Sequence, residues 1–543
     1  MVAPRHDRSD RFMATRQRSD PRSQTVNFSP LSRLRLIRVA GLAAVVAFLL
    51  LIGRYYHPVY GFTALIQLDA ANDGFKIPEF RELPIYVHRD TGGYDGLYYA
   101  QIAYHPSLGA PELRAAIDNL SYRARRMLPA TLAWFLAAGQ DAWIAQVYSV
   151  LNLVAWLGLA ALLWRILDVR DHRGWLAWAG VMFSAGVMVS VRLALTDLIA
   201  MGFMAVAMTA TERGRPGNAT VALAASCLTR ETAVLAVVGA WERPWVSRRN
   251  LQLTLGAWMP LGLWLLYVLW QVGPGNPGIA NLSLPVMGFV EKWLETIYAL
   301  GLHPDWPLTV STLLCTLGLT VQAAYLISHR DLDSRWWRLG AGYTVLMFCL
   351  GRAVWEDFPG AATRVLLPLT LAFNVLAHRS RAALAWLILG NLTVVAGLVA
   401  LRDPPTHPRE MASVSSDGVA GIAELGVGWY ARELDGSHTW VWTARRGTIR
   451  IDAWPKAGAT VELRFQLRAL TPRIVIVRQQ GRELAQFTVS TSRSAHTLPV
   501  RIDVGQGEIE FLTVAPPTIE GASPGARELG FALYDLRLAL PSY

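Results

Sequence analysis

The stretch GGYDGLYYAQIAYHP, residues 92–106, sets one carboxylate, Asp95, behind two glycines and ahead of a run that reads as a helix. Helical spacing then puts Asp95, Tyr98 or Tyr99, and Ile102 along one face. In a first helical turn, free backbone N–H groups and the helix dipole favour an ionised carboxylate, which suits a general base or a group that orients an acceptor hydroxyl. The same place suits a plain helix cap, and composition does not separate the two. A second segment, DNLSYRARRMLP at residues 118–129, puts Arg123, Arg125 and Arg126 beside an apolar run. Guanidinium forks match phosphate oxygens, so the cluster fits a lipid-linked phosphate at a membrane surface; simple headgroup anchoring is the plainer alternative. Arg126 lies nearest the apolar run. A third group is dispersed: Arg192 and Asp197 in VRLALTDL, Arg230 and Glu231 in LTRETAVL, and Glu356, Asp357 and Arg364 in WEDFPGAATRVLLP. All sit at ends or breaks of apolar runs, where ionisable groups face a cavity or pair with one another. Arg364 opens an apolar run with no acid close behind it, which suits a phosphate contact or an arginine reaching for the interface.

Other chemistries lack their residues. No P-loop, GxSxG or HExxH pattern is present, so ATP hydrolysis, serine hydrolysis and zinc proteolysis have no support. Asp331 and Asp333 in DLD resemble an acidic metal pair but lie between apolar runs and read as a solvated loop. Cys227, Cys315 and Cys349 all fall inside apolar segments, which indicates neither a disulfide framework nor a thiolate metal site. Trp429, Trp440, Trp442 and Trp454 suit sugar stacking, but packing is the commoner fate of such rings.

The elements that must position these residues are mostly membrane helices. Of 543 residues, 53% are hydrophobic and only 17% charged, and the mean hydropathy is +0.29, too apolar for an ordinary soluble domain. The net charge of +11 invites nucleic acid or anionic lipid as partner. Arginines that punctuate apolar runs, without any zinc-finger or RNA-recognition pattern, point to the bilayer and away from nucleic acid. Residues 1–35, with eight arginines and three aspartates, read as a disordered cytoplasmic tail. Residues 36–401 read as a polytopic membrane domain whose first span, Leu36 to Gly53, is uncleaved. A long polar and aromatic loop, 54–126, follows, and then an interfacial helix over 127–139. Further spans are expected near 143–166, 174–190, 193–210, 252–272, 306–328, 336–353, 362–377 and 383–401, nine clear spans with the first. Asn218 to Ala240 has basic residues on both flanks and Arg230 with Glu231 at its middle, so it reads as a broken hairpin meeting near Thr229–Thr232. With the N-terminus inside, the loops holding Arg165, Arg170 and Arg173, then Arg330, Arg335 and Arg338, then Arg379 and Arg381 fall inside; loop 54–126 and the C-terminus fall outside.

Beyond Arg402 the pattern changes. Val461, Leu463, Phe465 and Leu467 alternate with Glu462, Arg464, Gln466 and Arg468, as in a strand with one buried face. Similar runs at 448–452, 473–477, 483–489, 498–504, 508–514 and 529–540, parted by Gly and Pro turns, predict a separate all-β domain over 402–543, a sandwich or jelly roll.

Taken in order, an apolar first span, an outer loop with GYDGLYYAQIA, then YRARRMLP, LTDL, LTRET and TRVLLP resemble the multi-span glycosyltransferases of the GT-C superfamily over roughly residues 36–400. The likeness is to bacterial members with a YDGQFY-type loop motif followed by YRxRRxLxP, and more distantly to lipid-sugar mannosyltransferases with a WDAxxY pattern. Leu97 stands where the bacterial pattern often has Gln. The resemblance implies a bacterial inner-membrane enzyme that moves a sugar from a polyprenyl-phosphate donor to a glycan, lipid or protein acceptor of the cell envelope on the outer face. It implies Asp95 as the catalytic carboxylate and Arg126, Arg230 and Arg364 as cations for the phosphate leaving group. Tyr94, Tyr98, Tyr99, Arg123, Arg192, Asp197 and Glu231 complete the substrate-binding candidates. Metal dependence varies in the superfamily, so a divalent cation is neither required nor excluded. The β domain resembles carbohydrate-binding-like domains appended to some members. Two other classes compete: a transporter or flippase of lipid-linked saccharides, since buried ionisable groups at helix breaks also mark carriers, and a non-catalytic envelope protein whose sandwich binds glycans.

Overall fold

The computed structural model describes residues 30–276, 278–302, 306–356, 360–380, 382–416, 419–454, 459–502, 507–521 and 526–539. The basic tail up to residue 29, Asp357 and Arg381 therefore lie outside the described residues. An α-helical part with candidate membrane spans precedes an all-β domain of antiparallel sheets.

Among the described residues, four helices are long and apolar enough to cross a bilayer: Leu34–Gly53, Asp141–Ile166, Arg248–Gln271 and Trp306–Ser328. A fifth candidate is the pair His172–Met182 and Ala185–Arg192, bent by 42°. These spans mark a multi-pass membrane protein. The expectation of nine clear spans is corrected here, because several apolar runs are interrupted. The 193–210 run becomes Asp197–Glu212, the 336–353 run Arg335–Cys349, the 362–377 run Gly360–Val365 and Leu367–Ala377, and the 383–401 run Ala383–Gly390 and Thr393–Val399. Hydropathy is blind to these breaks, since apolar side chains such as Phe183, Leu366 and Leu392 stand within them.

Side-chain donors from other helices meet backbone carbonyls at the breaks, which is what allows broken helices at membrane depth. Trp156 Nε1 donates to Met182 O at 2.9 Å, at the bend of the 42° pair. Tyr148 Oη donates to Ala194 O at 3.0 Å and Asn152 Nδ2 to Leu195 O at 2.7 Å, at the turn before Asp197. Gln322 Nε2 donates to Gly390 O at 2.7 Å, and beside it the Asn374 and Asn391 amides exchange bonds of 2.9 and 2.7 Å.

The broken hairpin is present. Pro216–Thr229 is helical, Arg230 is extended (φ −153°, ψ 125°), and the chain returns as a 3₁₀ turn, Glu231–Ala236, and a short helix, Val237–Ala240. Both feet stand at one end of the bundle. Glu212, just before the outgoing arm, accepts from Trp336 Nε1 at 2.8 Å, while Arg338 binds Val238 O, Gly239 O and Trp241 O at 2.7–3.0 Å. Arg230 and Glu231 are thus carried to the opposite end.

The β domain has strands β1 Glu410–Ser416, β2 Val419–Leu425, β3 Glu433–Asp435, β4 His438–Thr443, β5 Arg446–Trp454, β6 Ala459–Ala469, β7 Arg473–Gln479, β8 Arg482–Val489, β9 Ser494–Ile502, β10 Gly507–Leu512, β11 Thr518–Ile519, β12 Glu528–Leu529 and β13 Phe531–Ala539. One sheet runs β1-β2-β5-β10-β7-β8 and the other β3-β4-β13-β6-β9; β11 pairs with β12. The alternation in β6 does what it predicts: Val461, Leu463, Phe465 and Leu467 are buried with Ile449, Ile451, Val475, Val477 and Phe511 of the other sheet in one core. The reverse face of β5 carries Arg450, Asp452 and Trp454, opposite Glu424, Ile422 and Ala420 of β2.

That reverse face meets the 54–126 loop. Val59 and Tyr60 pack on Ala420, Ile422 and Trp454, and His57 Nε2 lies 2.9 Å from Glu410 Oε2. The loop and the β domain therefore share one end of the molecule. The 127–139 segment holds a helix, Met127–Leu136, with Trp134, Phe135 and Leu136 exposed.

Candidate functional site

Asp95 stands at the start of the Gly96–Ile102 helix, after Gly92 and Gly93, both at positive φ. At Gly96 a Cβ would collide with Leu193 O and come within 3.0 Å of Ile66 O, so glycine lets the helix start press against both backbones. Asp95 occupies the cap position, yet its side chain makes no capping bond. The carboxylate turns instead to Arg123, whose Nη1 lies 2.8 Å from Oδ1, and 27% of the Asp95 side chain remains exposed. Arg123 is further held by Asp118, at 3.1 Å through Nε and 2.8 Å through Nη2, and lies 4.9 Å above the Tyr98 ring.

Three residues on, past the end of the Leu120–Arg123 helix, Arg126 is buried and pairs with both oxygens of Glu231 at 2.9 and 2.8 Å. It also donates to the hydroxyls of Tyr99 and, at 3.0 Å, Tyr122; the latter is fixed by Asn281 Nδ2 at 3.1 Å. The hairpin tip thus meets the loop through Glu231. Its neighbour Arg230 points to Asp197, Nη1 to Oδ1 at 2.5 Å, and Asp197 also receives Arg364 Nη1 on Oδ2 at 3.3 Å. Arg364 Nη2 donates to Tyr94 Oη at 2.8 Å, one residue from Asp95. The path Asp95, Arg123, Arg126, Glu231, Arg230, Asp197, Arg364, Tyr94 therefore closes on itself, alternating between contacts and short stretches of chain.

Asp197 has 1% of its side chain exposed, and two guanidinium groups compensate for the desolvation of its charge. Arg230 retains spare capacity: its buried Nε has no hydrogen-bond partner among the described residues. A preorganised cation with a free donor is what a developing phosphate charge requires.

Ten of the eleven sequence candidates, Asp95, Tyr94, Tyr98, Tyr99, Arg123, Arg126, Asp197, Arg230, Glu231 and Arg364, fall in this cluster. Arg192 does not. It lies over the Tyr55 ring at 5.0 Å, with Nη1 3.5 Å from Ala64 O, and lines a cleft between loop and β domain. Arg125 sits over Tyr122 at 5.4 Å, and Glu356 pairs with exposed Arg352, at 3.7 Å. Sequence reasoning passed over Tyr122, Asp118 and Asn281; the four-residue spacing of Tyr122 and Arg126 was the available signal for the first. Of the tryptophans, Trp442 is buried, Trp440 stacks on Tyr534 at 5.2 Å and Trp429 donates to Thr448 O at 2.8 Å, so these three are packing residues.

Among the described residues, one group has the spacing of metal ligands: His57, His407 and Glu410, with ligand atoms within 4.8 Å of one another. Backbone N–H groups of Val59 and Tyr60 donate to His57 Nδ1 at 3.1 and 3.3 Å. That leaves the proton of a neutral ring on Nε2, the atom facing Glu410, so this nitrogen donates to the carboxylate and has no lone pair for a metal. Asp331 and Asp333 serve the loop: Asp331 accepts two backbone N–H bonds at 3.1 and 3.2 Å, and Asp333 pairs with Arg243 at 3.0 Å.

Comparison of the chain with protein-family models, with curated proteins and with solved structures finds no match in any of the three.

Proposed function

We propose that the chain is a membrane glycosyltransferase that moves a sugar from a polyprenyl-phosphate-linked donor to a cell-envelope acceptor, on the outer face of a bacterial inner membrane. The observation that carries this reading is an uncapped, partly exposed carboxylate at the rim of a buried ring of four arginines, one of which keeps a free donor. In the reaction the acceptor hydroxyl attacks the anomeric carbon as its bond to phosphate breaks, the hydroxyl proton passes to Asp95, and the polyprenyl phosphate leaves against Arg230 and its neighbours. Arg123 orients Asp95, while Asp197 and Glu231 hold the cations in place. No nucleotide sugar enters.

The test is Asp95→Asn in the full-length protein, reconstituted with polyprenyl-phosphate-linked sugars and an envelope extract as acceptor. Loss of glycosidic product in correctly inserted Asp95→Asn protein is expected; retention of full transfer would remove Asp95 from the chemistry. Movement of lipid-linked saccharide across proteoliposomes without any product would favour the carrier reading instead.

A further inference from the structure

A cleft of about 1040 Å³ opens between the 54–126 loop and the β domain, apart from the charged ring. It lies at the upper end of the roughly 300–1,000 Å³ of small-molecule sites, room for an extended ligand. One wall holds rings in edge-to-face contact, Trp454 with Tyr60 at 5.9 Å, Tyr60 with Tyr86 at 5.6 Å and Tyr86 with His88 at 4.7 Å; Trp454 and His88 are buried, and the half-buried Tyr60 and Tyr86 supply the accessible ring surface. The hydroxyls of Tyr60 and Tyr86 have no hydrogen-bond partner among the described residues. On the same side of the sheet as Trp454 lie Glu424, Arg450 and Asp452, the last two paired at 3.1 Å. Charges of both signs interleave along this wall.

From this pattern we infer that the cleft is a saccharide-binding subsite for an oligosaccharide of at least two rings. Aromatic faces stack on the C–H faces of sugar rings, and carboxylate–guanidinium pairs hydrogen-bond vicinal hydroxyls in bidentate fashion. Six Lys and Arg residues of the lining stand against four acids, a near balance that gives a polyanion little net attraction, and an acyl chain would strand the charges. Arg192 belongs here, in the cleft wall, with His88 Nε2 beside it on the same Ala64 carbonyl at 2.8 Å. The Thr63–Ile66 turn touches both sites, bearing Ala64 O towards the cleft residues and Ile66 O beneath Gly96. The subsite stands whether or not Asp95 transfers a sugar.

Full-length protein in nanodiscs is applied to an array of neutral oligosaccharides built from mannose, galactose, arabinose, rhamnose and N-acetylglucosamine, with heparin as polyanion control. The expected result is saturable binding to at least one oligosaccharide, weakened at least tenfold by Tyr86→Ala and by Asp452→Ala and unchanged by Asp95→Asn. Binding to none of them, binding to heparin alone, or undiminished binding by both cleft variants would overturn the inference. Because binding is read without turnover, each of these outcomes leaves the transferase reading to its own test.

Discussion

Arg126 closes its fork on Glu231 across 105 residues of chain, Nε to Oε2 at 2.9 Å and Nη2 to Oε1 at 2.8 Å. This pair joins the 54–126 loop to the tip of the hairpin. Removing Glu231 leaves the Arg126 charge buried and uncompensated, at a cost of about 3–5 kcal/mol, whereas Glu231, with 26% of its side chain exposed, loses less when Arg126 is removed. Glu231→Ala and Arg126→Ala are each expected to lower the thermal unfolding midpoint in detergent. The double variant Arg126→Met with Glu231→Leu should recover most of the loss, since an apolar pair needs no partner. Additive losses in the double-variant cycle would show that the two side chains act separately.

Asp95 is aimed by Arg123, so the two should fail differently. On the proposed reaction, Asp95→Asn removes the proton acceptor and lowers kcat by roughly 10²–10⁴. Arg123→Gln leaves the carboxylate in place without its guide, and its loss should be smaller and partly restored in Arg123→Lys. The split between kcat and KM separates the cases: if Arg123 aims the carboxylate, both variants should lower kcat and leave KM little changed. A loss in Arg123→Gln that Arg123→Lys does not restore would assign Arg123 to structure alone.

The residues of the ring were legible in the sequence because ionisable groups inside apolar runs are costly and hence conspicuous. Their pairing was not. Glu231 meets Arg126, and Asp197 holds two arginines, only because the hairpin turns at Arg230 and the 193–210 run starts its helix late, at Asp197. The span count failed for a related reason: the donors at the breaks, Trp156, Asn152 and Gln322, come from distant helices. In the β domain, β6 announced itself by strict alternation, while β1, EMASVSS, has small and polar residues on both faces and gives no period-two signal. The cleft could not be read at all, since it arises where the loop docks on the back of β5.

Gly96 offers a test of geometry without removal of any polar group. A methyl at this position would meet Leu193 O head-on, and backbone carbonyls cannot swing aside as a side chain would. Gly96→Ala should cost about 1–3 kcal/mol of stability through overpacking. It should also displace Asp95, and a shift of about 1 Å at a reacting group is worth roughly a hundredfold in rate. Activity that survives Gly96→Ala unchanged would show that the helix start tolerates movement and that Asp95 needs no such positioning.

Acid should loosen the loop through His88. Burial, aided by the nearby Arg192 charge, pushes its imidazole down to about 4, against the attraction of Asp69 and the hydrogen bond to Ala64 O. The folded state then binds fewer protons than the unfolded one between about pH 4 and 6.5, so stability is complete above 6.5 and declines as the pH falls towards 4. At pH 5 the loss is about 2 kcal/mol. Limited proteolysis of loop 54–126 should accelerate between pH 7 and 5, and His88→Gln should flatten that dependence. An equally steep rise in His88→Gln would assign the acid response to other groups.

The His57, His407 and Glu410 group separates two accounts of how the β domain is fastened to the loop. If it held a metal, saturating Zn²⁺ at 100 times its Kd would add about 2.7 kcal/mol of stability, and chelation would remove it. The backbone bonds to His57 Nδ1 favour the other account, in which the Nε2 proton joins Glu410 directly. Burial raises the Glu410 carboxyl, but the His57 bond more than offsets it, and the group titrates below the usual carboxylate range. Its contribution is therefore present above the unfolded carboxyl value of about 4.3 and disappears as the pH falls through the lower folded value. Neither Zn²⁺ nor chelator should move the unfolding midpoint at pH 7, whereas Glu410→Gln should lower it and expose the β1 edge to protease. A midpoint that rises with Zn²⁺ and returns with chelator would mean that His57 gives up its backbone partners for a metal, and the clip would have to be redrawn as a metal centre.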